Sequence, residues 1–164
     1  MKTINTVFAI IISAFCTSIN AQELETIATF EVLDGRDNGS DITPQMLEAN
    51  AFLVLYLSKD KEDVMFANVW EKNDSQSFGS IYAIAKEEFP ETDLEYKGEL
   101  FNFNWSYSNS YDDKKGTAKV KLWLIYKPQG TYFEFTVIPE DLDQLVYKGT
   151  MHGDLALLES YINK

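Results

Sequence analysis

The chain has 164 residues and is strongly acidic, with 26 Asp and Glu against 14 Lys and Arg and a formal net charge of −12 at pH 7. Such a charge repels phosphate backbones and anionic headgroups, which argues against nucleic-acid binding and against electrostatic docking to a membrane. Aromatic residues make up 14% of the chain, which argues against disorder. The sequence contains no dinucleotide-binding, Walker or nucleophile-elbow motif, so we expect no cofactor.

The N-terminus has the parts of a cleavable secretory signal peptide. Lys2 supplies a positive charge, residues 7–15 form an apolar stretch shorter than the roughly 20 residues that span a bilayer, and Ala21 supplies the small residue before a cleavage site. We therefore expect residues 1–21 to be removed and residues 22–164 to form a single β-rich domain, periplasmic or extracellular, without a membrane span. An uncleaved anchor is the alternative, but the stretch lacks a stop-transfer pattern.

Cys16 lies in the predicted signal peptide and is the only cysteine of the sequence. Lipid attachment to a cysteine requires a small residue directly before it, and Phe15 is bulky, so we interpret Cys16 as part of the removed segment. The mature chain would then have no thiol, which excludes thiol catalysis, disulfides and cysteine metal sites.

The first elements of the mature chain are a strand, a polar loop and a short helix. Residues 28–33 are rich in strand formers, and the loop at 34–41 is rich in turn residues. Thr43 is predicted as the N-cap and Pro44 as the first helical residue, because the missing N–H of proline costs nothing there. The helix is predicted to end near Asn50.

The loop at 34–41 is the most motif-like feature and is a weak calcium candidate. Calcium takes several oxygen ligands on a tight turn. Four side chains of the loop offer oxygen: Asp34, Asp37, Asn38 and Asp41. The EF-hand pattern fails, however, since its third position holds Arg36 and its twelfth holds Gln45. A polar turn that leads into the helix is the favoured interpretation, and no metal is expected.

Two apolar runs, 52–57 and 64–70, are separated by a short charged loop and predict a hairpin. The next stretch, 78–89, is ambiguous. Its first half contains strand formers, whereas residues 85–88 prefer helix, and Pro90 ends either element.

The second half of the chain predicts an antiparallel meander. Aromatic and polar residues alternate from Phe101 to Tyr107, which places four aromatic side chains on one face of a strand. Further strands are predicted at 118–126, 132–138 and 145–151, with a type I turn at 127–130. Short connections between consecutive strands favour antiparallel pairing. A closing helix from Asp154 to Ile162 is predicted to be capped by Asp154.

The predicted fold class is therefore mainly β: an antiparallel meander that closes as a barrel or packs as a sandwich, with one or two short helices. The aromatic strand suggests a pocket lining or a stacking platform for sugar rings, which makes Phe103, Trp105 and Tyr107 candidate ligand-binding residues. An ordinary core face is the favoured alternative.

Trp123 is a further candidate ligand-binding residue, because alternation places it on the lysine-bearing, solvent face of its strand. An exposed tryptophan beside Lys121 suits recognition of a ring-shaped or acidic partner. Coverage by the C-terminal helix is an equally good interpretation.

Three hypotheses follow for function. The first is an exported, non-enzymatic binding module for a small apolar molecule or a glycan, and the second is an envelope interaction or structural protein with protein partners. The third is a carboxylate-dependent hydrolase, which needs only two of the many acidic residues. The lone His152 has no catalytic or metal-ligating partner at a suitable spacing. A deep pocket lined by the aromatics of 101–107 would favour the first hypothesis.

Overall fold

The computed structural model describes residues 24–89, 97–140 and 143–162, and the predicted signal peptide lies outside these residues. In the described ranges the chain forms nine antiparallel strands and two short α-helices. Eight of the strands close into a barrel, because β1 pairs with β3 on one side and with β9 on the other. The prediction of a mainly β, antiparallel fold is confirmed, and of the two predicted arrangements the barrel is the one observed.

The elements follow one another around the barrel in chain order. They are β1 (Thr26–Asp37), β2 (Ser40–Asp41), α1 (Thr43–Glu48), β3 (Ala51–Leu57), β4 (Val64–Trp70), β5 (Ser75–Phe89), β6 (Lys97–Asn109), β7 (Lys115–Lys127), β8 (Gly130–Pro139), β9 (Leu145–Gly153) and α2 (Ala156–Glu159). A 3₁₀ turn at Glu71–Asn73 joins β4 to β5. No helix of the described residues is long and apolar enough to cross a membrane.

Alternation along each strand decides which side chains fill the barrel. On β6, Phe101, Phe103 and Trp105 are buried inside, while the residues between them lie on the outer face. The inward side chains of β7 and β8 belong to the same buried core cluster. Several aromatic rings pack edge-to-face there: the Phe30 ring lies 5.1 Å from that of Phe133 and 4.8 Å from that of Phe135, measured between centroids. Such contacts add to the apolar area that drives barrel formation.

β1, whose pairing with β9 forms the seam that closes the barrel, contains two backbone irregularities. β1 has register shifts against both neighbours, one between Thr26 and Ala28 and one between Val32 and Asp34. These bulges bend the strand, as sheet closure requires. Gly149 of β9 allows the closest approach at the seam, since a Cβ atom at this position would lie 1.8 Å from the backbone oxygen of Glu31.

The C-terminal segment closes one end of the barrel. Leu155 and Leu158 are buried in the core cluster, and the Leu158 side chain is fully buried. Lys86 of β5 lies 2.8 Å from a carboxylate oxygen of Glu99 and 2.6 Å from one of Glu159, so it ties α2 to the barrel wall. Burial alone would lower the pKa of Lys86, but the hydrogen bonds with Glu159 and Glu99 together raise it.

Several predicted element bounds are corrected by the structure. The stretch 78–89 is strand, because pairing of β5 with β6 outweighs the helix propensity of its second half. A left-handed residue, Ala83, accommodates the register shift in this strand. The predicted 34–41 loop is largely strand, with a tight turn at Asn38 and Gly39 between β1 and β2.

The helix bounds differ from the predictions in similar ways. The N-cap of α1 is Ile42, and Thr43 is the first helical residue, whose N–H donates to the Asp41 carboxylate at 2.9 Å. The Thr43 hydroxyl instead accepts a hydrogen bond from the Gly35 N–H. The C-terminal helix spans only Ala156–Glu159, although Asp154 does accept a hydrogen bond from the Ala156 N–H, as a capping residue would.

Candidate functional site

A cavity of about 430 Å³ occupies the end of the barrel opposite α2. It lies between the last residues of β4, β6 and β8 and the first residues of β5 and β9, with α1 at its edge. Eight strands enclose an interior wide enough for either packed side chains or one small ligand. Here the end near α2 is filled by side chains and the other end is partly open, so the cavity is the principal candidate site of the described residues.

Six aromatic residues contribute to the cavity wall. They come from three strands and one turn: Phe66, Trp70, Trp105, Tyr107, Tyr111 and Tyr147. The Trp105 ring lies 4.8 Å from the Phe66 ring and 4.7 Å from the Tyr107 ring, measured between centroids. Tyr111 lies at the mouth and is 66% exposed. The wall therefore offers flat apolar surfaces from the mouth to the floor of the cavity.

The floor of the cavity contains polar groups within this apolar wall. The Asn68 side-chain amide donates to the Tyr147 hydroxyl at 3.1 Å. Tyr147 is almost fully buried, and burial raises the pKa of its hydroxyl, so the group is a neutral phenol at pH 7. The floor thus presents uncharged donors and acceptors.

Two residues that line the cavity each contain a buried polar atom without a hydrogen-bond partner among the described residues: the Trp105 Nε1 and the Asn68 Oδ1. A third such atom, the Thr117 Oγ1, belongs to a residue that does not line the cavity. Buried polar groups in proteins are almost always paired, and leaving one unpaired costs about 1–3 kcal/mol. Both atoms have almost no accessible surface, so they lie behind the cavity wall and do not form part of the surface that a ligand would contact.

At the mouth of the cavity, hydrogen bonds link polar side chains of β5, β6 and the turn that follows β6. The Ser77 hydroxyl donates to the Asn109 Oδ1 at 2.6 Å, and the Asn109 amide donates to the Tyr111 hydroxyl at 3.4 Å. Asp37 of β1 is the one charged side chain of the described lining, which includes no Lys, Arg or His. The site is accordingly aromatic, polar at both ends and without positive charge.

The four predicted ligand-binding residues occupy different places. Trp105 and Tyr107 line the cavity. Phe103 is buried in the core cluster and is not part of the lining. Trp123 lies on the outer face of β7, paired across the strands with Leu100 and Glu134, and it is only partly exposed. The structure thus brings two of the four predicted residues together and places the other two elsewhere.

The calcium candidates of the 34–41 segment make structural contacts. Asp34 accepts a hydrogen bond from the Thr43 hydroxyl at 3.2 Å and lies near Arg36, while Asp41 accepts the Thr43 N–H. The hydrogen bonds with Thr43 lower the pKa of Asp41. Asn38 occupies the left-handed turn, and Asp37 points toward the cavity mouth. No group of three or more His, Cys, Asp and Glu residues in the described chain is arranged to hold a metal ion.

Sequence reasoning missed Asn68 and Tyr147, although the sequence carried a signal for the first. Asn68 interrupts the apolar run 64–70 at the same parity as Val64 and Phe66. A polar residue on the inward side of a strand marks either a hydrogen-bonded pair or a site. Tyr147 gave no such signal, because its distance of 79 residues from Asn68 hid their pairing.

Comparisons of the chain with protein-family models, with curated proteins and with solved structures found no match. The functional argument therefore rests on the geometry of the cavity.

Proposed function

We propose that this protein is a non-enzymatic binding module that takes one small, mainly apolar ligand into the open end of its barrel. The observation that carries the proposal is the cavity of about 430 Å³, whose lining combines six aromatic residues with a few uncharged polar side chains such as Ser77 and Asn109. Small-molecule sites are commonly clefts of about 300–1,000 Å³ with apolar walls and a few polar groups that orient the ligand. The cavity matches this description in size and in lining.

The alternative of a carboxylate-dependent hydrolase receives less support from the site. Such an enzyme requires two carboxyl groups on either side of the reacting bond. The described lining contributes a single carboxylate, that of Asp37, and this residue is exposed at the mouth. The cavity therefore supports ligand binding better than hydrolysis.

A fluorescent apolar dye, N-phenyl-1-naphthylamine, tests the proposed function. We expect its emission to rise and shift to the blue on addition of the protein, because the dye leaves water for the aromatic cavity. Ser77→Phe places a ring in the cavity and should weaken binding by at least about tenfold, equivalent to roughly 1.4 kcal/mol. Ser106→Phe places the same ring on the outer face of the neighbouring strand and should leave binding unchanged.

Folding of both variants is checked by circular dichroism, so that loss of binding is not confused with loss of structure. An unchanged dye affinity in Ser77→Phe would contradict a site inside the barrel. Absence of dye binding by the unaltered protein would contradict the proposed function as a whole.

The proposed module acts outside the cytoplasm, in the periplasm or beyond the cell. This part of the proposal is supported by the apolar stretch at 7–15 and by Ala21, which have the order of a signal peptide and its cleavage site. The intact mass of the exported protein tests it, since the mature chain should begin at Gln22. A chain that retains residues 1–21, or that carries a lipid on Cys16, would overturn it.

A further inference from the structure

The carboxylate of Asp37 is the one charged group that the described lining presents to the cavity. Asp37 shares a face of β1 with Gly35, where a Cβ atom would meet the buried Met46 side chain, so this face points into the barrel. Because β1 ends at Asp37, the side chain lies at the mouth and is exposed. It has no hydrogen-bond or ion-pair partner within the described part of the chain. Its charge is therefore available to a ligand that enters the cavity.

No cationic side chain of the described lining offsets this carboxylate. Lys114, in the turn that follows β6, lies outside the lining and 3.3 Å from the Asp112 carboxylate. The formal net charge of −12 has the same sign as Asp37, and such a field attracts cations and repels anions. An anionic group in the cavity would also lose hydration without gaining a counter-ion. The electrostatics of the cavity therefore favours a ligand with positive charge.

Aromatic rings near the mouth favour the same sign of charge. Tyr111 is 66% exposed, and Trp70 and Tyr107 are half-buried members of the lining, so part of each ring is accessible to a ligand. The face of an aromatic ring carries partial negative charge, which attracts an ammonium group, and it also packs against apolar surface. An organic cation gains from both properties, whereas an uncharged molecule of the same shape gains only the apolar contact.

From these observations we infer that the ligand is an organic cation, with an amine or quaternary ammonium group that pairs with Asp37 and an apolar body that packs against the aromatic wall. The inference rests on the proposed function and adds the chemical class of the ligand.

Three probes with the same two-ring body test the inference: 2-naphthylmethylammonium, 2-naphthylmethanol and 2-naphthoate. The ammonium and the alcohol have nearly the same shape and differ in charge at pH 7, and the third probe carries the opposite charge. The affinity of each is obtained from its displacement of N-phenyl-1-naphthylamine from the unaltered protein. At low ionic strength we expect the ammonium to bind at least about fivefold more tightly than the alcohol, and the carboxylate to bind most weakly. Added sodium chloride should reduce the preference for the ammonium.

A pair of aspartate variants locates the charge that the ligand contacts. Asp37→Asn keeps the shape of the side chain and removes its charge, so the ratio of ammonium affinity to alcohol affinity should fall by at least about threefold. Asp113→Asn removes the same charge from the exposed turn between β6 and β7, at the same end of the barrel but outside the lining. Asp113 has a left-handed backbone, which asparagine tolerates. Because Asp113→Asn changes the net charge equally, it controls for the overall field and should leave the ratio nearly unchanged.

The outcomes separate the inference from the function on which it rests. If the dye binds but the alcohol displaces it as well as the ammonium does, or if the two aspartate variants have the same affinity ratio, the ligand class is wrong while the binding function stands. If the dye does not bind to the unaltered protein, the proposed function itself fails. The comparison of the three probes needs no variant, so a folding defect in Asp37→Asn does not leave the inference untested.

Discussion

At the scale of single residues, Trp105 and Trp123 differ in burial because they lie on opposite faces of the sheet. Trp105 is 4% exposed and packs against Phe66 and Tyr107 inside the barrel, whereas Trp123 is partly exposed on the outer face. Trp105→Ala should lower the free energy of unfolding by about 3–5 kcal/mol through lost burial and an enlarged cavity. Trp123→Ala should cost about 1 kcal/mol, a typical value for a change outside the core.

Urea denaturation of the two tryptophan variants measures this difference directly. Both variants should retain the m-value of the unaltered protein, since the surface exposed on unfolding is nearly the same. Equal large losses would show that the outer face of β7 contributes to stability as much as the barrel interior.

At the scale of elements, α2 closes the end of the barrel opposite the cavity. Its two central leucines have opposite environments: Leu158 is fully buried in the core cluster, and Leu157 is 36% exposed. Leu158→Ala should therefore destabilise the protein by about 2–5 kcal/mol. Leu157→Ala, the matched control one residue earlier, should stay within about 0.5 kcal/mol.

Thermal or chemical unfolding distinguishes the two leucine variants, and ligand binding provides a second measurement. Dye binding by folded Leu158→Ala should be unchanged, because α2 and the cavity lie at opposite ends of the barrel. A large loss of dye affinity in this variant would show that α2 also shapes the site.

At the scale of the whole molecule, tyrosine hydroxyl groups that lose contact with water on folding predict a loss of stability in alkali. Burial raises the pKa of Tyr56, Tyr126 and Tyr147 above the ordinary value of 10.0, and a hydrogen bond to Glu99 contributes at Tyr126. Above about pH 10 the unfolded chain loses phenolic protons that the folded chain keeps. The unfolded state then binds fewer protons, so the free energy of unfolding falls as pH rises.

Tyr147 is the best position for testing this dependence, because it is almost fully buried. Tyr147→Phe removes one of the raised groups, so between pH 10 and 11 its stability should fall less steeply than that of the unaltered protein, by up to about 1.4 kcal/mol per pH unit. Urea denaturation from pH 8 to 11 compares the two proteins. Parallel curves would show that Tyr147 does not carry the alkaline dependence.

Much of the strand pattern was predictable from the sequence, because it depends on local chemistry. Alternation assigned the inward residues of β6 and β7 correctly, and the proline and glycine of 127–130 marked the turn between β7 and β8. The site was predictable only in part: alternation pointed to Trp105 and Tyr107 but could not separate them from Phe103, which faces the same way. Position along the barrel axis, which local pattern does not encode, decides which of these rings meets the cavity.

By itself the sequence determined the strand-rich, antiparallel character of the chain and the apolar side of its clearest strands, since side-chain period and turn residues act over a few positions. Only the tertiary structure decided that the sheet closes as a barrel, because the seam joins β1 to β9 across more than a hundred residues. It also decided the strand state of 78–89 and the pairing of Asn68 with Tyr147. These features depend on contacts between distant segments, whose energies outweigh local preference only once the barrel has formed.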